Sequence, residues 1–279
     1  MCQFCAKHGD GKKWYLQAKS YAADLSSDLR RREFITQFAR DFNQRMSRSV
    51  KKMELLKKLP GGLRRLVSRL ASRRLEKTHF GQPVPMEDCA KVFDITTSIV
   101  RVPCVCRNFS QTPDKGYCLL ITTRPAQDDL LQPLSELASG PDVSAFESLS
   151  KEDALALLGQ CESEGLMHSV WTFYTPFIAA MCNCSLPAGC MAMRAQLDYG
   201  VKCMWKGEYV AVVSEDLCVG CGQCVDACPF DAIELDVKSR KAVVRLSRCY
   251  GCGICRAACP TGAAGLRERQ LVAEVANDW

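Results

Sequence analysis

Eight cysteines near the end of the chain form two copies of one pattern, C-x2-C-x2-C-x3-C-P, and the copies begin 31 residues apart. Three thiolates spaced in this way can wrap one face of an iron–sulfur cubane, while backbone N–H groups of the loop point at its sulfurs. The fourth cysteine, beside proline, cannot fold back onto the same iron and instead ligates the cluster of the other copy. The spacing therefore predicts two [4Fe–4S] clusters. Their ligands are Cys218, Cys221, Cys224 and Cys259 for one cluster, and Cys249, Cys252, Cys255 and Cys228 for the other.

The residues around these cysteines support the same interpretation. The two copies read VGCGQCVDACPFDAIEL and YGCGICRAACPTGAAGL, which is an internal repeat. Gly220, Gly222, Gly251 and Gly253 allow the backbone to approach a cluster and to adopt positive φ angles. Through these motifs residues 210–266 resemble the two-cluster bacterial ferredoxins. Paired structural zinc sites are the alternative for C-x2-C pairs, and eight cysteines with both prolines in place argue against it.

Nineteen cysteines in 279 residues are far above ordinary usage, so their redox compartment matters. The segment Met1–Cys5 lacks the apolar stretch of a signal peptide, and no segment approaches the ~20 apolar residues of a membrane span. We therefore expect a cytoplasmic protein without a transmembrane segment, in which most thiols are metal ligands. Because oxygen attacks exposed clusters, the composition also favours an anaerobic host.

The net charge of +6 is distributed unevenly along the chain. Residues 30–77 contain 16 Lys or Arg and four acids, a charge of +12, which leaves about −6 for the rest. Residues 20–59 are predicted to be helical, because apolar residues recur every three to four positions. That stripe consists of Phe34, Phe38, Phe42, Met46, Val50 and Met53.

A second amphipathic helix is predicted after Pro60-Gly61-Gly62, with Leu63, Leu66, Val67 and Leu70 on one face and five arginines around it. The ordinary interpretation is a solvated charged face over a helical hairpin, and docking of an acidic redox partner comes next. A basic amphipathic helix is also compatible with an anionic membrane surface. Nucleic acid is disfavoured, because the basic helix has no aromatic residue and no reader motif is present.

The first residues read C-x2-C-x2-H, with Cys2, Cys5 and His8. This set is one ligand short of a zinc or iron site, so either a metal site or two free thiols near a chain end would explain it. The His does not follow the second Cys directly, which excludes a haem attachment motif.

A further set of cysteines in the middle of the chain suggests another metal centre. Cys104 and Cys106 follow a predicted strand over residues 95–102, and a C-x-C pair in extended backbone would present both side chains on one face. Arg107 could donate to cluster sulfides. The candidate ligands are Cys104, Cys106, Cys118, Cys182, Cys184 and Cys190. Either an additional iron–sulfur cluster or structural zinc fits them.

The segments VPCVCRNF, GYC, SKEDALALLGQCESEGLMHSV and MCNCSLPAGC occur in this order ahead of the ferredoxin-like motifs. Over residues 86–266 the chain resembles a family of anaerobe ferredoxin-like iron–sulfur proteins with an upstream C-x-C-R domain and an Asn-Cys-rich segment. The resemblance implies an upstream metal domain. One departure puts its ligand set in question: the family usually reads NCC followed by CC, whereas Ser185 follows Cys184 here and Cys190 stands alone.

Local signals place several other elements. Residues 79–85 (HFGQPVP) are predicted to be a linker, and a capping-box pattern begins a helix at Ser150 that Gly165 ends. A helix, a glycine turn and then a strand over 166–174 also suits a winged-helix-like scaffold, although the acidic side chains of this helix would repel DNA. His168 is either a structural residue or a ligand or hydrogen-bond donor at the metal centre. Cys89, Cys161 and Cys203 have no partners at ligand spacing and are predicted to be buried thiols.

These observations predict an α+β protein in four parts. Residues 1–78 form a basic helical region, 86–205 a cysteine-rich metal domain, 210–266 a two-cluster ferredoxin domain and 267–279 a C-terminal tail. The function expected is a relay of single electrons between redox partners, with no catalytic residue predicted. A subunit of an oxidoreductase that binds substrate at an incompletely ligated upstream cluster, or a regulatory metalloprotein, are the alternatives. No dinucleotide fingerprint, P-loop or flavin motif supports other redox chemistry.

Overall fold

The computed structural model describes residues 13–112, 117–123 and 147–279, and the candidate ligands Cys2, Cys5 and His8 lie outside these residues. The described chain has the predicted α+β character. Its helices are α1 (Ala23–Ser27), α2 (Leu29–Arg40), α3 (Phe42–Lys57), α4 (Gly61–Thr78), α5 (Met86–Ile95), α6 (Val105–Ser110), α7 (Lys151–Ser163), α8 (Met191–Tyr199), α9 (Gln223–Asp226) and α10 (Ile254–Ala257). Short 3₁₀ turns cover Trp14–Leu16, Ala18–Tyr21, Leu246–Arg248 and Arg269–Leu271.

A six-stranded antiparallel sheet organises the part of the chain before the ferredoxin-like motifs, with the strand order β1-β5-β6-β3-β2-β4. Its strands are β1 (Gly81–Pro83), β2 (Ser98–Val102), β3 (Cys118–Thr122), β4 (Glu147–Leu149), β5 (Met167–Thr172) and β6 (Ile178–Cys184). Apolar residues of α5, α7 and the first 3₁₀ turn cover one face of this sheet. The sheet therefore sets the positions of the middle cysteines, which lie on β3, on β6 and after β2.

Two predictions for this region are corrected by the sheet. Residues 81–83 are not linker but a buried strand, because β1 pairs with β5 from Gly81↔Trp171 to Pro83↔Ser169. The winged-helix-like arrangement is also wrong, since β5, which follows α7, pairs with strands on both sides inside a six-stranded sheet. The helix expected at Ser150 is confirmed, with the Ser150 hydroxyl accepting a hydrogen bond from the Asp153 N–H at 3.0 Å.

The ferredoxin-like motifs form a compact unit of two small sheets. Strand β7 (Tyr209–Val213) pairs antiparallel with β10 (Ala264–Glu268), and β8 (Ile233–Leu235) pairs with β9 (Ala242–Val244). Since β7 precedes the first cysteine motif and β10 follows the second, their pairing closes the unit. The predicted C-terminal tail is wrong as a description of residues 267–279, because Arg269 and Val275 are buried in this core.

The basic helices differ from their ordinary interpretation in one respect. Helix α3 packs as expected, with Phe42 and Leu56 buried. Helix α4 packs through Ser68 and the half-buried Ala71 and Leu75, while its leucine face points outward. The charged face is exposed to solvent, as in the ordinary interpretation, and the leucine face is exposed as well.

We predict that Gly81→Ala destabilises the protein by about 1–3 kcal/mol. A Cβ at Gly81 would lie 2.5 Å from Cε2 of the buried Trp171 indole, so the paired strands or the ring would have to shift. Anaerobic chemical unfolding followed by tryptophan fluorescence measures the effect. Gly159→Ala in α7 is the control: nothing lies within 4 Å of its Cβ, and helix propensity predicts a gain of about 0.5–1 kcal/mol. Equal stability of the two variants would contradict the close β1–β5 contact.

Candidate iron–sulfur sites

The first candidate site is a surface cavity in the ferredoxin-like unit, and four cysteines line it: Cys218, Cys221, Cys224 and Cys259. Three come from the first copy of the motif, and Cys259 comes from the second copy. The rest of the lining is mostly apolar or glycine, including Val213, Val219 and Leu235, with Thr261 as the one polar side chain. A set of four thiols around a mainly apolar cavity has the donor chemistry that an iron–sulfur cluster requires.

Backbone geometry at the first site directs N–H groups toward sulfur. Gly220 and Gly222 have φ angles of 68° and 83°, which confirms the positive φ expected of them. The N–H of Ala242 on β9 donates to Cys218 Sγ at 3.4 Å. Such N–H···S bonds stabilise negative charge on the thiolates and are one of the ways in which a protein tunes a cluster.

The second candidate site brings together Cys249, Cys252, Cys255 and, from the first copy, Cys228. Cys228 lies close enough to interact electrostatically with each of the other three. Cys249 Sγ accepts hydrogen bonds from the N–H groups of Ala211 at 3.3 Å and Gly251 at 3.4 Å. Burial raises the pKa of Cys255 to about 12, so a nearby positive charge such as cluster iron is needed to hold it as a thiolate.

The two sites differ in exposure. At the first site Cys221 is exposed, and Val219 in the same loop is 68% exposed. At the second site the three motif cysteines are at most 7% exposed, because the rest of the protein covers their loop. Arg256 on α10 makes a bidentate ion pair with Glu87 on α5, at 2.6 and 2.8 Å. The second site thus faces the upstream region, by which we mean the described residues before β7, and the first site faces solvent.

Arg269 is a residue of the second site that the sequence analysis missed. Its guanidinium is fully buried and donates to the carbonyl groups of Gly207, Tyr209 and Cys249 at 2.8–2.9 Å. It therefore joins the start of the cysteine loop to β7 and places a positive charge beside Cys249. No motif marks it, because an arginine after a strand is ordinarily a surface residue.

We predict that Gly251→Ala removes iron from the second site. Gly251 has a φ angle of 66°, and a Cβ there would overlap the carbonyl oxygen of Tyr209. We expect about four fewer iron atoms per chain in anaerobically purified protein, since the loop could no longer hold one four-iron cluster. Gly262→Ala is the matched control, because Gly262 has a similar φ of 67° but open space around it. Full iron content in Gly251→Ala would contradict this role of the loop.

The six middle cysteines converge in the structure as two groups. Cys104 is hydrogen-bonded to Cys106 and Cys118, and Cys118 is hydrogen-bonded to Cys182. Cys184 and Cys190 form a second hydrogen-bonded pair, which lies beside the first group because Cys184 interacts electrostatically with Cys104 and Cys106 with Cys190. The sheet explains the first group: β3 and β6 pair at Leu119↔Met181, so one further step places Cys118 opposite Cys182. The hydrogen bonds from Cys106 and Cys118 lower the pKa of Cys104 well below its ordinary value.

The local geometry expected for Cys104 and Cys106 is corrected. Cys104 caps α6 and Cys106 lies within that helix, so the pair is not extended. Cys104 and Cys106 are nevertheless close enough for a hydrogen bond between their thiols. Arg107 is 4% exposed and lies over the Tyr117 ring at 5.3 Å from its centroid.

His168 belongs to a buried network beside the middle cysteines. Its Nδ1 is 2.7 Å from Oδ1 of Asn183, and the Asn183 amide nitrogen donates to the Tyr117 carbonyl at 2.5 Å. These contacts make His168 Nδ1 the donor and leave Nε2 as a lone pair, 3.8 Å from Glu162 Oε1. Asn183 lies between Cys182 and Cys184, so His168 orients the strand that carries them and does not itself reach the thiols.

Acid pH should destabilise the protein partly through His168. Burial lowers its pKa to about 4, whereas an unfolded chain has an ordinary value of about 6.5. Between these values only the unfolded chain binds the proton, so the free energy of unfolding falls as pH falls through this window. We predict that His168→Gln loses about 2 kcal/mol less than the wild type between pH 7 and pH 5 in anaerobic chemical unfolding. An equal loss in both proteins would contradict a neutral buried imidazole.

Other predictions about cysteine and membrane have clear outcomes. Cys89, Cys161 and Cys203 are buried free thiols, as expected. Within the described residues, no group of three or more His, Cys, Asp or Glu side chains is arranged around a single metal ion, and this holds for the two four-cysteine sets of the motifs as well as for the middle cysteines. Among the described helices, none is long and apolar enough to cross a bilayer.

Comparison with known proteins identifies the C-terminal part. The family model described as a 4Fe-4S dicluster domain matches residues 217–263. A ferredoxin of Rickettsia felis is 47% identical over 34 residues, 12% of this chain and 31% of that protein. A ferredoxin of Pyrobaculum islandicum is 42% identical over 33 residues, also 12% and 31% of the two chains. Ferredoxin-2 of Desulfomicrobium norvegicum is 52% identical over 27 residues, 10% of this chain and 46% of that protein.

The chain thus spans less than half the length of these curated relatives. Over the matched residues the chain contains a ferredoxin-type domain. This confirms the resemblance of residues 210–266 to ferredoxins. This domain supports iron–sulfur clusters as cofactors and electron transfer as the chemistry.

Proposed function

We propose that this protein relays single electrons between redox proteins through two [4Fe–4S] clusters and a third metal centre in the upstream region. One observation carries the proposal. Each four-cysteine set draws its members from both copies of the motif, and one set faces solvent while the other faces the upstream region. Clusters of this kind supply one-electron steps at a potential set by hydrogen bonding, burial and charge.

We assign the ligands of the two clusters from the two four-cysteine sets. Cys218, Cys221, Cys224 and Cys259 hold the solvent-facing cluster, and Cys249, Cys252, Cys255 and Cys228 hold the buried cluster. The exposed loop at Val219 offers a partner protein the shortest approach to the first set. Cys224 and Cys255 interact electrostatically, so the two sets are neighbours and electrons can pass between them.

The upstream centre is proposed to use Cys104, Cys106, Cys118 and Cys182. Two observations support this choice: hydrogen bonds link the four cysteines into one group, and the sheet register joins Cys118 to Cys182. Cys106 interacts electrostatically with Cys190 as well as with Cys182, so Cys190 is the nearest alternative ligand. Cys184 and Cys190 pair with each other and would lie beside the centre. Four thiols would complete the ligation of a cluster. An oxidoreductase subunit with an open iron is therefore the weaker candidate.

Metal analysis tests the upstream centre. We predict about twelve iron atoms per chain in anaerobically purified wild type, from three four-iron clusters, and about eight in Cys118→Ser. Cys89→Ser is the control, because Cys89 is a buried thiol whose recorded hydrogen bond goes to the Val84 carbonyl. It should retain the wild-type iron content.

The contrary outcomes are distinct. Eight iron atoms with one zinc in the wild type, and loss of zinc alone in Cys118→Ser, would replace the third cluster by structural zinc. Iron equal in wild type and Cys118→Ser, without zinc, would remove the upstream centre altogether. An electron paramagnetic resonance signal of the third cluster that shifts on adding small ligands would favour the open-iron subunit.

Redox proteins are the partners that this function requires. Docking of an acidic redox protein on the basic helices stays a prediction, as does a regulatory role for the N-terminal Cys2, Cys5 and His8, which lie outside the described residues. Helix α4 also exposes an apolar stripe, which an electrostatic contact with an acidic protein would leave unused.

A further inference from the structure

Helix α4 presents its apolar face to solvent. Leu63, Leu66, Val67 and Leu70 follow the i, i+3, i+4, i+7 spacing of a single helix face, and they are 48%, 51%, 38% and 56% exposed. An amphipathic helix on a globular protein ordinarily turns such a stripe inward. Here the stripe stays exposed to solvent, so no described side chain covers it.

The opposite face of α4 is the one that packs, and it is composed of small and polar residues together with Leu75. Ser68 is 8% exposed, and Ala71 and Leu75 pack against the cluster of Leu56, Tyr199 and Val201. The Ser72 hydroxyl accepts a hydrogen bond from the N–H of Lys202 at 2.8 Å. These contacts fix the rotation of α4 about its axis, so the leucines cannot turn inward without breaking them.

Positive charge borders the exposed leucines on both sides. Five arginines of α4 are exposed: Arg64, Arg65, Arg69, Arg73 and Arg74. In the described part of the chain, no carboxylate forms a recorded ion pair with any of these five. Glu76 is the one acid in the α4 sequence. The helix therefore combines an uncovered aliphatic stripe with uncompensated cations.

We propose that α4 lies in the surface of an anionic phospholipid bilayer and holds this electron carrier at the membrane. A helix with an aliphatic face and Arg-rich flanks suits that environment, because the leucines enter the acyl boundary while arginine side chains reach back to lipid phosphates. Binding would be peripheral, in keeping with the absence of a membrane-crossing helix among the described ones.

A bilayer fits this face better than a protein does. Protein interfaces are anchored by Trp, Tyr and Arg in pockets, with Leu and Val under-represented among the residues that dominate binding. The exposed face of α4 has three leucines and one valine and no aromatic residue. A fluid apolar layer accepts such a surface without shape matching, and an anionic one satisfies its charge.

The test is co-sedimentation of anaerobically purified full-length protein with lipid vesicles. We expect binding to vesicles containing phosphatidylglycerol, weak binding to pure phosphatidylcholine, and a reduction at high salt because the charge contribution is screened. Leu66→Ser with Leu70→Ser should lower the partition coefficient at least about ten-fold, since both leucines leave the acyl boundary. Val237→Ser is the matched control, because Val237 is 92% exposed in the ferredoxin-type domain, and it should bind as the wild type does.

Iron content and circular dichroism equal to wild type establish that the leucine variant is folded. Failure of the wild type to bind phosphatidylglycerol vesicles overturns the proposal, and so does equal binding by the leucine variant, which would reduce the contact to charge alone. Retention on immobilised polyglutamate without vesicle binding would assign the face to an acidic protein. A wild-type dimer in analytical ultracentrifugation that the leucine variant dissociates, again without vesicle binding, would assign it to a second copy.

Discussion

Each copy of the cysteine motif places its last cysteine beside the first three of the other copy, and much of the structure follows from this exchange. The two halves must face each other at close range, which requires β7 and β10 to pair along Tyr209–Val213 and Ala264–Glu268. It also requires loops without side chains at the points of closest approach. A Cβ at Gly251 would overlap the Tyr209 carbonyl, so only glycine fits between the loop and the strand.

The surroundings then make the two nearly equivalent sites unequal. The second site contacts the upstream region through the Arg256–Glu87 ion pair. The buried guanidinium of Arg269 holds its loop by donating a hydrogen bond to the Cys249 carbonyl. The first site keeps an exposed loop at Val219. Burial and a nearby charge are the quantities by which a protein changes a cluster's potential and its access to partners. In this way an internal repeat can produce two cysteine sites that differ in burial and in nearby charge.

The residues before the ferredoxin-type domain add two further features, a group of middle cysteines and the exposed face of helix α4. The sheet brings Cys118 and Cys182 together from positions 64 residues apart in the chain, and the neutral His168 supports the strand between Cys182 and Cys184 through Asn183. Helix α4 is held by its serine face, which leaves leucines and arginines outside. Such a helix surface is suited to a boundary that is both negatively charged and apolar.

The eight motif cysteines and their glycines could be read from the sequence because cluster ligation imposes a strict local spacing, and positive φ at Gly220 and Gly222 follows from the same spacing. The helix beginning at Ser150 was equally local, since its cap lies three residues from its partner.

Long-range packing decided the rest. The segment 81–83 reads as a linker until it pairs with β5, and Arg269 reads as a surface residue until β7 and Cys249 surround it. The rotation of α4 is set by contacts with Tyr199 and Lys202, more than 120 residues away, and a helical periodicity shows which residues share a face but not which face the protein covers.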